Sequence, residues 1–170
     1  MRLSSGGYNT HQYDPAAFRK VVARVVKAIP VLLEETGADS VVVSGKSGQS
    51  VGFAALTQLD FNLVVVRKPN DSSHGCQVEG LDTFLKYIIL DDFVASGDTV
   101  NRIVSTINEC HEKARTRPWS PDDSPVAECV GVLECCKANL SDSMPYSYYR
   151  KVEVNAGSFM RYHCGGLNDN

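Results

Sequence analysis

Hydrophobic and polar positions form alternating blocks along the chain, and the first block predicts a helix. Between residues 18 and 29 the apolar positions recur with the period of an amphipathic helix. Asp14 and Pro15 predict where this helix begins, because aspartate caps helices and proline suits the first helical position. Gly37 predicts its end, because glycine accepts the left-handed conformation that closes many helices.

Four short apolar blocks predict strands covered on both faces, because nearly every position in them is hydrophobic. These strands span residues 40–44, 62–66, 87–90 and 126–133. Between them, the spacing predicts helices over residues 50–58 and 99–115. Strands that alternate with helices predict an α/β fold built on a parallel sheet.

Polar loops follow three of these strands, at residues 45–49, 67–80 and 91–99. In open parallel sheets, ligands bind at the carboxyl ends of the strands. We therefore expect the three loops to meet on one side of the sheet and to form a single site. Residues 69–82 make a long polar loop, and such loops are usually functional or mobile.

The first of these loops contains Gly-Lys-Ser, which raises the question of a nucleotide-binding P-loop. That motif needs a further glycine five positions earlier, where this chain has Ser40. The residues between are three valines, which favour a strand over a phosphate-wrapping loop. The stretch is interpreted as a strand that ends in a loop of small residues.

The loop after the third strand carries the clearest chemistry. Asp91 and Asp92 stand where the apolar block stops, and the small turn that follows them precedes a helix. Free N–H groups at a helix N-terminus bind phosphate, and Ser96 and Thr99 add hydroxyl donors. The acids suit the hydroxyls of a sugar or a hydrated Mg²⁺. The combination predicts a site for a ribose phosphate.

This stretch, YIILDDFVASGDTV at residues 87–100, resembles the signature of type I phosphoribosyltransferases, which bind phosphoribosyl pyrophosphate (PRPP). The resemblance implies a doubly wound parallel sheet with a small hood built from the chain ends. It implies that Asp91 and Asp92 act in catalysis and hold Mg²⁺ indirectly, through PRPP or water. The residues it assigns to the 5′-phosphate are Ala95, Ser96, Gly97, Asp98 and Thr99.

The charge of Asp98 is a departure from the usual pattern of this loop. A carboxylate that faces a phosphate would repel it. In the first turn of a helix, however, a carboxylate that faces solvent interacts well with the helix dipole. We therefore expect the backbone N–H of Asp98 to serve the phosphate while its side chain turns outward.

The resemblance extends upstream to the other two loops. It implies pyrophosphate binding by two groups of residues, Gly45, Lys46, Ser47 and Gly48 in the first loop and Arg67 and Lys68 in the second. Arg-Lys followed by His-Gly resembles the catalytic loop of orotate phosphoribosyltransferases, which implies catalytic roles for Lys68 and His74. The further lysine of that loop is absent, and residues 70–73 fill the gap.

The resemblance covers residues 40–133 and implies one domain over residues 1–170. We expect a core over residues 15–133 and a hood from residues 1–14 and 134–170. The aromatic residues of the C-terminal segment have two interpretations: they stack on a base or they pack on the domain. No motif there identifies the base.

Composition narrows the class of protein. The chain has 170 residues and a net charge of −3, which gives no bulk attraction to nucleic acid or to acidic membranes. No apolar stretch is long enough to span a membrane, and the N-terminus lacks the apolar core of a secretory signal. The six cysteines form no C-x-x-C pair. We expect a cytoplasmic protein with reduced thiols that binds neither nucleic acid nor membranes.

The resemblance implies a transferase that joins a nitrogenous base, either a purine or an orotate-like base, to the phosphoribosyl group of PRPP. The products are a nucleoside monophosphate and pyrophosphate. Mg²⁺ is the expected cofactor, and a homodimer is the expected assembly. A second hypothesis is a PRPP- or nucleotide-binding regulatory protein with the same fold and no turnover, which the absent loop lysine permits.

Overall fold

The computed structural model describes residues 14–69, 77–80, 84–94, 96–118 and 125–135, together with the backbone of residues 146–154 and 157–164. The helices in these ranges are α1 (Pro15–Thr36), α2 (Gly45–Leu56) and α3 (Asp98–Arg115). The strands are β1 (Ser40–Ser44), β2 (Asn62–Val66), β3 (Val78–Glu79), β4 (Lys86–Asp91), β5 (Glu128–Glu134), β6 (Tyr146–Val154) and β7 (Gly157–Cys164).

The strands form one sheet in the order β3-β2-β1-β4-β5-β7-β6. Strand β1 pairs in parallel with β2 and β4, and the parallel arrangement continues through β5 to β7. Strands β3 and β6 run antiparallel at the two edges. The predicted α/β fold with a mostly parallel sheet is confirmed.

The sheet is covered on both faces, as a doubly wound fold requires. On one face, buried residues of α1 and α2 pack against alternate residues of the central strands, such as Val41 and Val43. On the other face, α3 packs against the intervening residues, such as Val42 and Ile89. Because successive side chains of a strand point to opposite faces, uninterrupted apolar strands are what this arrangement needs.

Helix α1 has the predicted boundaries. The Asp14 side chain accepts hydrogen bonds from the backbone N–H groups of Ala16 and Ala17, at 2.8 and 3.2 Å. Gly37 closes the helix with a φ of 66°. Both ends therefore follow from local sequence chemistry alone.

Helix α2 differs from the prediction. It begins at Gly45, directly after β1, and not at residue 50. The glycines of this stretch let the helix lie close to the sheet. A Cβ atom on Gly48 would stand 2.8 Å from the Leu90 carbonyl oxygen, and one on Gly52 would stand 2.9 Å from Val43 Cγ1. Close packing of a helix on a sheet, and not a wrapping loop, accounts for these two glycines.

Two strand assignments also go beyond the prediction. The predicted loop 69–82 contains β3, which extends the sheet beyond β2. The C-terminal segment contains β6 and β7, and β7 pairs with β5 to continue the sheet. These strands lie in residues 134–170, where we expected a hood. The division into core and hood stays a prediction, and residues 1–13 lie outside the described residues.

In the parts of the chain that the structure describes, no helix is both long and apolar enough to cross a membrane.

The contact between Gly48 and the Leu90 carbonyl generates the first prediction. Gly48→Val should lower the free energy of unfolding by about 2 kcal/mol, because the new side chain forces α2 away from the sheet. Gln49→Val is the matched control, since this half-buried neighbour lies one position along the same helix. Chemical denaturation measures both. Equal stability of the two variants would contradict the close packing of α2.

Candidate functional site

The carboxyl ends of β1, β2 and β4 lie side by side and are joined by hydrogen bonds. The Ser44 hydroxyl, at the end of β1, donates to the Val66 carbonyl at the end of β2 over 2.7 Å. Arg102, in the second turn of α3, donates from Nη2 to the Ser44 hydroxyl at 2.7 Å. Its Nη1 donates to the Arg67 carbonyl at 3.1 Å. The expected meeting of the three loops at one edge is therefore present.

Arg102 was missed by the sequence prediction. It lies one helical turn after Asp98, so the same face of α3 that begins the small-residue turn also carries this guanidinium. That spacing was the available signal. Burial lowers the pKa of Arg102, and the nearby Asp91 carboxylate opposes this effect. A partly buried guanidinium thus holds the starts of α2 and of the loop after β2 in place.

Asp91 and Asp92 are both buried, with 7% and 5% of their surfaces exposed. The Asp91 carboxylate accepts a hydrogen bond from the backbone N–H of Asp92 at 2.9 Å. Burial, together with the neighbouring acids Asp92 and Glu134, raises the pKa of Asp91 to about 7. An acid with this pKa changes charge in the neutral range, which suits a group that meets a cation or a ribose hydroxyl.

Glu134 is a third acid at this edge, and the sequence prediction missed it because the predicted strand stopped one residue earlier. It pairs with Asp91 across β4 and β5 and is fully buried. Its carboxylate accepts a hydrogen bond from the backbone N–H of Val94 at 2.6 Å. A glutamate directly after the apolar block VGVL was the signal in the sequence.

The small-residue turn runs from Ser96 into the first turn of α3. Gly97 is the N-cap residue, with a φ of 87° that favours glycine. Asp98 and Thr99 are exposed, and Thr99 lies in the first helical turn. Ala95, the remaining residue assigned to the phosphate, lies outside the described residues.

The Asp98 side chain is exposed, and its carboxylate accepts a hydrogen bond from the Ser96 hydroxyl at 2.6 Å. The expectation that this carboxylate turns away from a bound phosphate stays a prediction. The backbone N–H of Asp98 donates to the same hydroxyl at 3.3 Å. This hydroxyl is therefore already engaged at the position where we expected it to meet a phosphate.

A pocket of about 120 Å³ opens at this turn, lined by Asp91, Phe93, Val94 and residues 96–99. Asp91 and the described residues assigned to the 5′-phosphate therefore border one pocket. Acid pairs at such a position suit Mg²⁺, which prefers oxygen ligands and retains several waters. Among the described residues, no three His, Cys, Asp or Glu side chains cluster as a metal site. Two carboxylates thus fit Mg²⁺ only with further oxygens from a ligand or from water.

The residues assigned to pyrophosphate have different surroundings. Lys68 is exposed, and its side chain lies over Gly45, with Nζ 3.7 Å from where a Cβ atom of Gly45 would stand. Lys46 is exposed and Ser47 is half-buried in the first turn of α2. Gly48 is buried against the sheet. The start of α2 therefore offers two lysines near free N–H groups, while Gly48 has a packing role.

Arg67 is engaged within the protein. Its guanidinium forms an ion pair with Glu79 of β3, with Nε and Nη2 each 2.7 Å from the same carboxylate oxygen. Its backbone N–H donates to the Gln77 carbonyl at 2.8 Å. These contacts close the base of the loop after β2. His74, which lies within that loop, is outside the described residues.

Comparison with known proteins gives one curated relative and several solved structures. No protein-family model matches the chain. The purine biosynthesis transcriptional repressor PurR of Bacillus subtilis (strain 168) is 22% identical over 193 residues, which cover 99% of this chain and 65% of the repressor. The chain thus spans just under two thirds of that relative's length.

Similar solved structures include two orotate phosphoribosyltransferases and one purine phosphoribosyltransferase. The enzyme from Francisella tularensis is 15% identical with a TM-score of 0.46, covering 71% of this chain and 52% of its own. The enzyme from Aeropyrum pernix is 15% identical with a TM-score of 0.48, and the match covers 79% of this chain and 71% of that enzyme. The purine enzyme from Pyrococcus horikoshii Ot3 is 12% identical with a TM-score of 0.32, and the match covers 69% of this chain and 76% of that enzyme.

By name, these three structures are phosphoribosyltransferases, the family whose signature residues 87–100 resemble. The fold itself stands on the strand order and on the helices packed against both faces of the sheet.

The raised pKa of Asp91 predicts how stability depends on pH. The folded state holds this proton up to about pH 7, whereas the unfolded chain releases it near its ordinary pKa of 3.8. Between these values the folded state binds more protons, so the free energy of unfolding should fall as pH rises. For one proton the slope is at most about 1.4 kcal/mol per pH unit.

Asp91→Asn should remove this slope and should raise stability at pH 8 relative to the unmodified protein. Asp60→Asn, which changes an exposed acid, is the control and should retain the slope. Denaturation at pH values from 4 to 8 measures both variants. The same slope in Asp91→Asn as in the unmodified protein would show that Asp91 ionises freely in the fold.

Proposed function

We propose that the chain is a PRPP-dependent phosphoribosyltransferase that joins the 5-phosphoribosyl group to a nitrogenous base and releases pyrophosphate. The observation that carries this proposal is the arrangement at the carboxyl edge. Two helices begin there, α2 after β1 and α3 after the turn at residues 96–97, and the buried acid pair lies at the end of the strand next to β1. PRPP has a phosphate, a diol and a pyrophosphate, and this edge offers a counterpart to each.

In this proposal the free N–H groups at the start of α3 bind the 5′-phosphate, because amides and the helix dipole favour an anion. Asp91 and Asp92 accept hydrogen bonds from the ribose hydroxyls. Their negative charge favours the positive charge that develops on the ribose ring as the bond to pyrophosphate breaks. Lys46 and Lys68, at the start of α2, offset the charge of the departing pyrophosphate.

Mg²⁺ fits this proposal through its preference for oxygen ligands, and when bound it would neutralise part of the pyrophosphate charge. Asp91 and Asp92 are the residues that would hold it, together with oxygens of PRPP or water. The pKa of Asp91 near 7 means that a cation at this position would favour the charged carboxylate. Mg²⁺ and PRPP should therefore bind better as pH rises through 7.

A second candidate function is a regulatory protein that binds PRPP or a nucleotide without turnover. The loop after β2 permits it, because the further lysine of the orotate-type catalytic loop is absent there. The PurR relative is by its name a transcriptional repressor, which supports the same alternative. A homodimer remains part of both proposals.

Binding and turnover separate the two candidates. In both, millimolar PRPP with Mg²⁺ should raise the melting temperature, because a ligand that binds only the folded state stabilises it. Only the transferase should release pyrophosphate when a purine or orotate is added. Asp92→Asn should abolish the release, while Asp60→Asn, an exposed acid outside the site, should not change it. An unchanged melting temperature would refute PRPP binding in both forms.

The carboxylate of Asp98 allows a second test of phosphate binding. Asp98→Asn keeps an oxygen that can accept from Ser96 and removes the charge that repels phosphate. We expect PRPP to bind up to about ten-fold more tightly at low salt, corresponding to about 1.4 kcal/mol. Glu109→Gln, an exposed acid further along α3, should change the dissociation constant little. An unchanged or weaker affinity in Asp98→Asn would show that this carboxylate does not face the bound phosphate.

A further inference from the structure

Glu134 is a buried acid for which the proposed reaction has no role. It ends β5, is fully buried, and lies beside the acids of β4. Placing a carboxylate in such a position is costly unless strong hydrogen bonds compensate. One such bond is present, because Glu134 Oε1 accepts from the backbone N–H of Val94 at 2.6 Å.

Val94 lies between the acid pair and the small-residue turn of the candidate site. It lies two residues after Asp92 and two residues before Ser96, where the chain leaves the sheet and turns toward α3. Its side chain is buried, with 5% of its surface exposed. A buried backbone N–H needs an acceptor, and the pairing of β4 with β5 ends at Asp91, three residues before Val94. Glu134 supplies an acceptor.

The position of Glu134 is itself fixed by the sheet. Strand β5 pairs with β4 up to Asp91 and Glu134, and the backbone N–H of Cys135 then donates to the Asp91 carbonyl at 3.0 Å. The carboxylate therefore has a defined distance to the turn. The charged groups around it are Asp91 and Asp92 on β4 and the turn after it, and Arg102 on α3, which interacts with Asp91.

We propose that Glu134 is a positioning residue that holds Val94 in place and thereby sets the affinity of the turn before α3 for the 5′-phosphate. The proposal rests on the proposed function for the identity of the ligand. The hydrogen bond between Glu134 and Val94 does not depend on which ligand binds, so the positioning role and the proposed function can be tested separately.

The first experiment needs no ligand and follows the exchange of the Val94 amide proton by NMR. Glu134→Gln keeps an oxygen acceptor, Glu134→Leu removes it, and Glu128→Gln at the exposed start of β5 is the control. Exchange at Val94 should accelerate about ten-fold or more in Glu134→Leu, because its backbone N–H loses this acceptor, and by a smaller factor in Glu134→Gln. The control should exchange at the unmodified rate.

The second experiment compares two probes by calorimetry, ribose 5-phosphate and inorganic pyrophosphate. A role in the turn predicts that Glu134→Gln weakens the binding of ribose 5-phosphate several-fold and leaves that of pyrophosphate unchanged, since pyrophosphate is proposed to bind at the start of α2. A general loss of stability would weaken both probes equally. If Glu134→Leu does not fold, Glu134→Gln alone is used in both experiments.

The outcomes distinguish this proposal from the proposed function. If Val94 exchanges at the unmodified rate in Glu134→Gln and in any folded Glu134→Leu, the positioning role is wrong whatever the ligand. Equal weakening of both probes also overturns it. If the unmodified protein binds neither probe, the proposed function fails, and acceleration of Val94 exchange in the variants still supports the role of Glu134 in holding the turn.

Discussion

Parallel pairing of β1 with both β2 and β4 is the constraint on which the candidate site depends. It brings the carboxyl ends of three strands to one edge of the sheet, although they are widely separated along the chain. Ser44 and Arg102 then join these ends by hydrogen bonds. Because α2 starts directly after β1, and α3 starts shortly after β4, the same pairing also aims two helix N-termini at this edge.

The edge combines groups that oppose one another electrostatically. Two helix N-termini and the lysines near α2 favour anions, whereas three acids, Asp91, Asp92 and Glu134, lie buried at the same edge. Burial keeps Asp91 protonated well above the ordinary range of an acid. A ligand with both phosphates and hydroxyls, accompanied by a divalent cation, satisfies both sets of groups at once. A simple anion satisfies only one of them.

Local sequence chemistry was sufficient to predict the caps of α1, the first two strands to the residue, and the acid pair followed by a small-residue turn. It failed for residues whose surroundings depend on packing between distant segments of the chain. Gly48 resembled part of a phosphate loop, but close approach to the Leu90 carbonyl explains it. Arg102 and Glu134 carry no local signature of function, because their partners lie between 35 and 58 residues away for Arg102 and 40 residues away for Glu134. The hydrogen bond between Asp98 and Ser96 depends on side-chain geometry that charge arguments alone did not predict.

In the proposed binding mode, one ligand spans the starts of α2 and α3 across the acid pair. The most direct test is an NMR titration of backbone amides with PRPP and Mg²⁺. A ligand that spans both helix starts should cause concurrent shifts at Lys46 and Ser47 in α2 and at Gly97 and Thr99 around the start of α3, with one shared dissociation constant. Shifts confined to the opposite edge of the sheet, near Leu85 and Val126, or an absence of shifts at saturating PRPP, would contradict it.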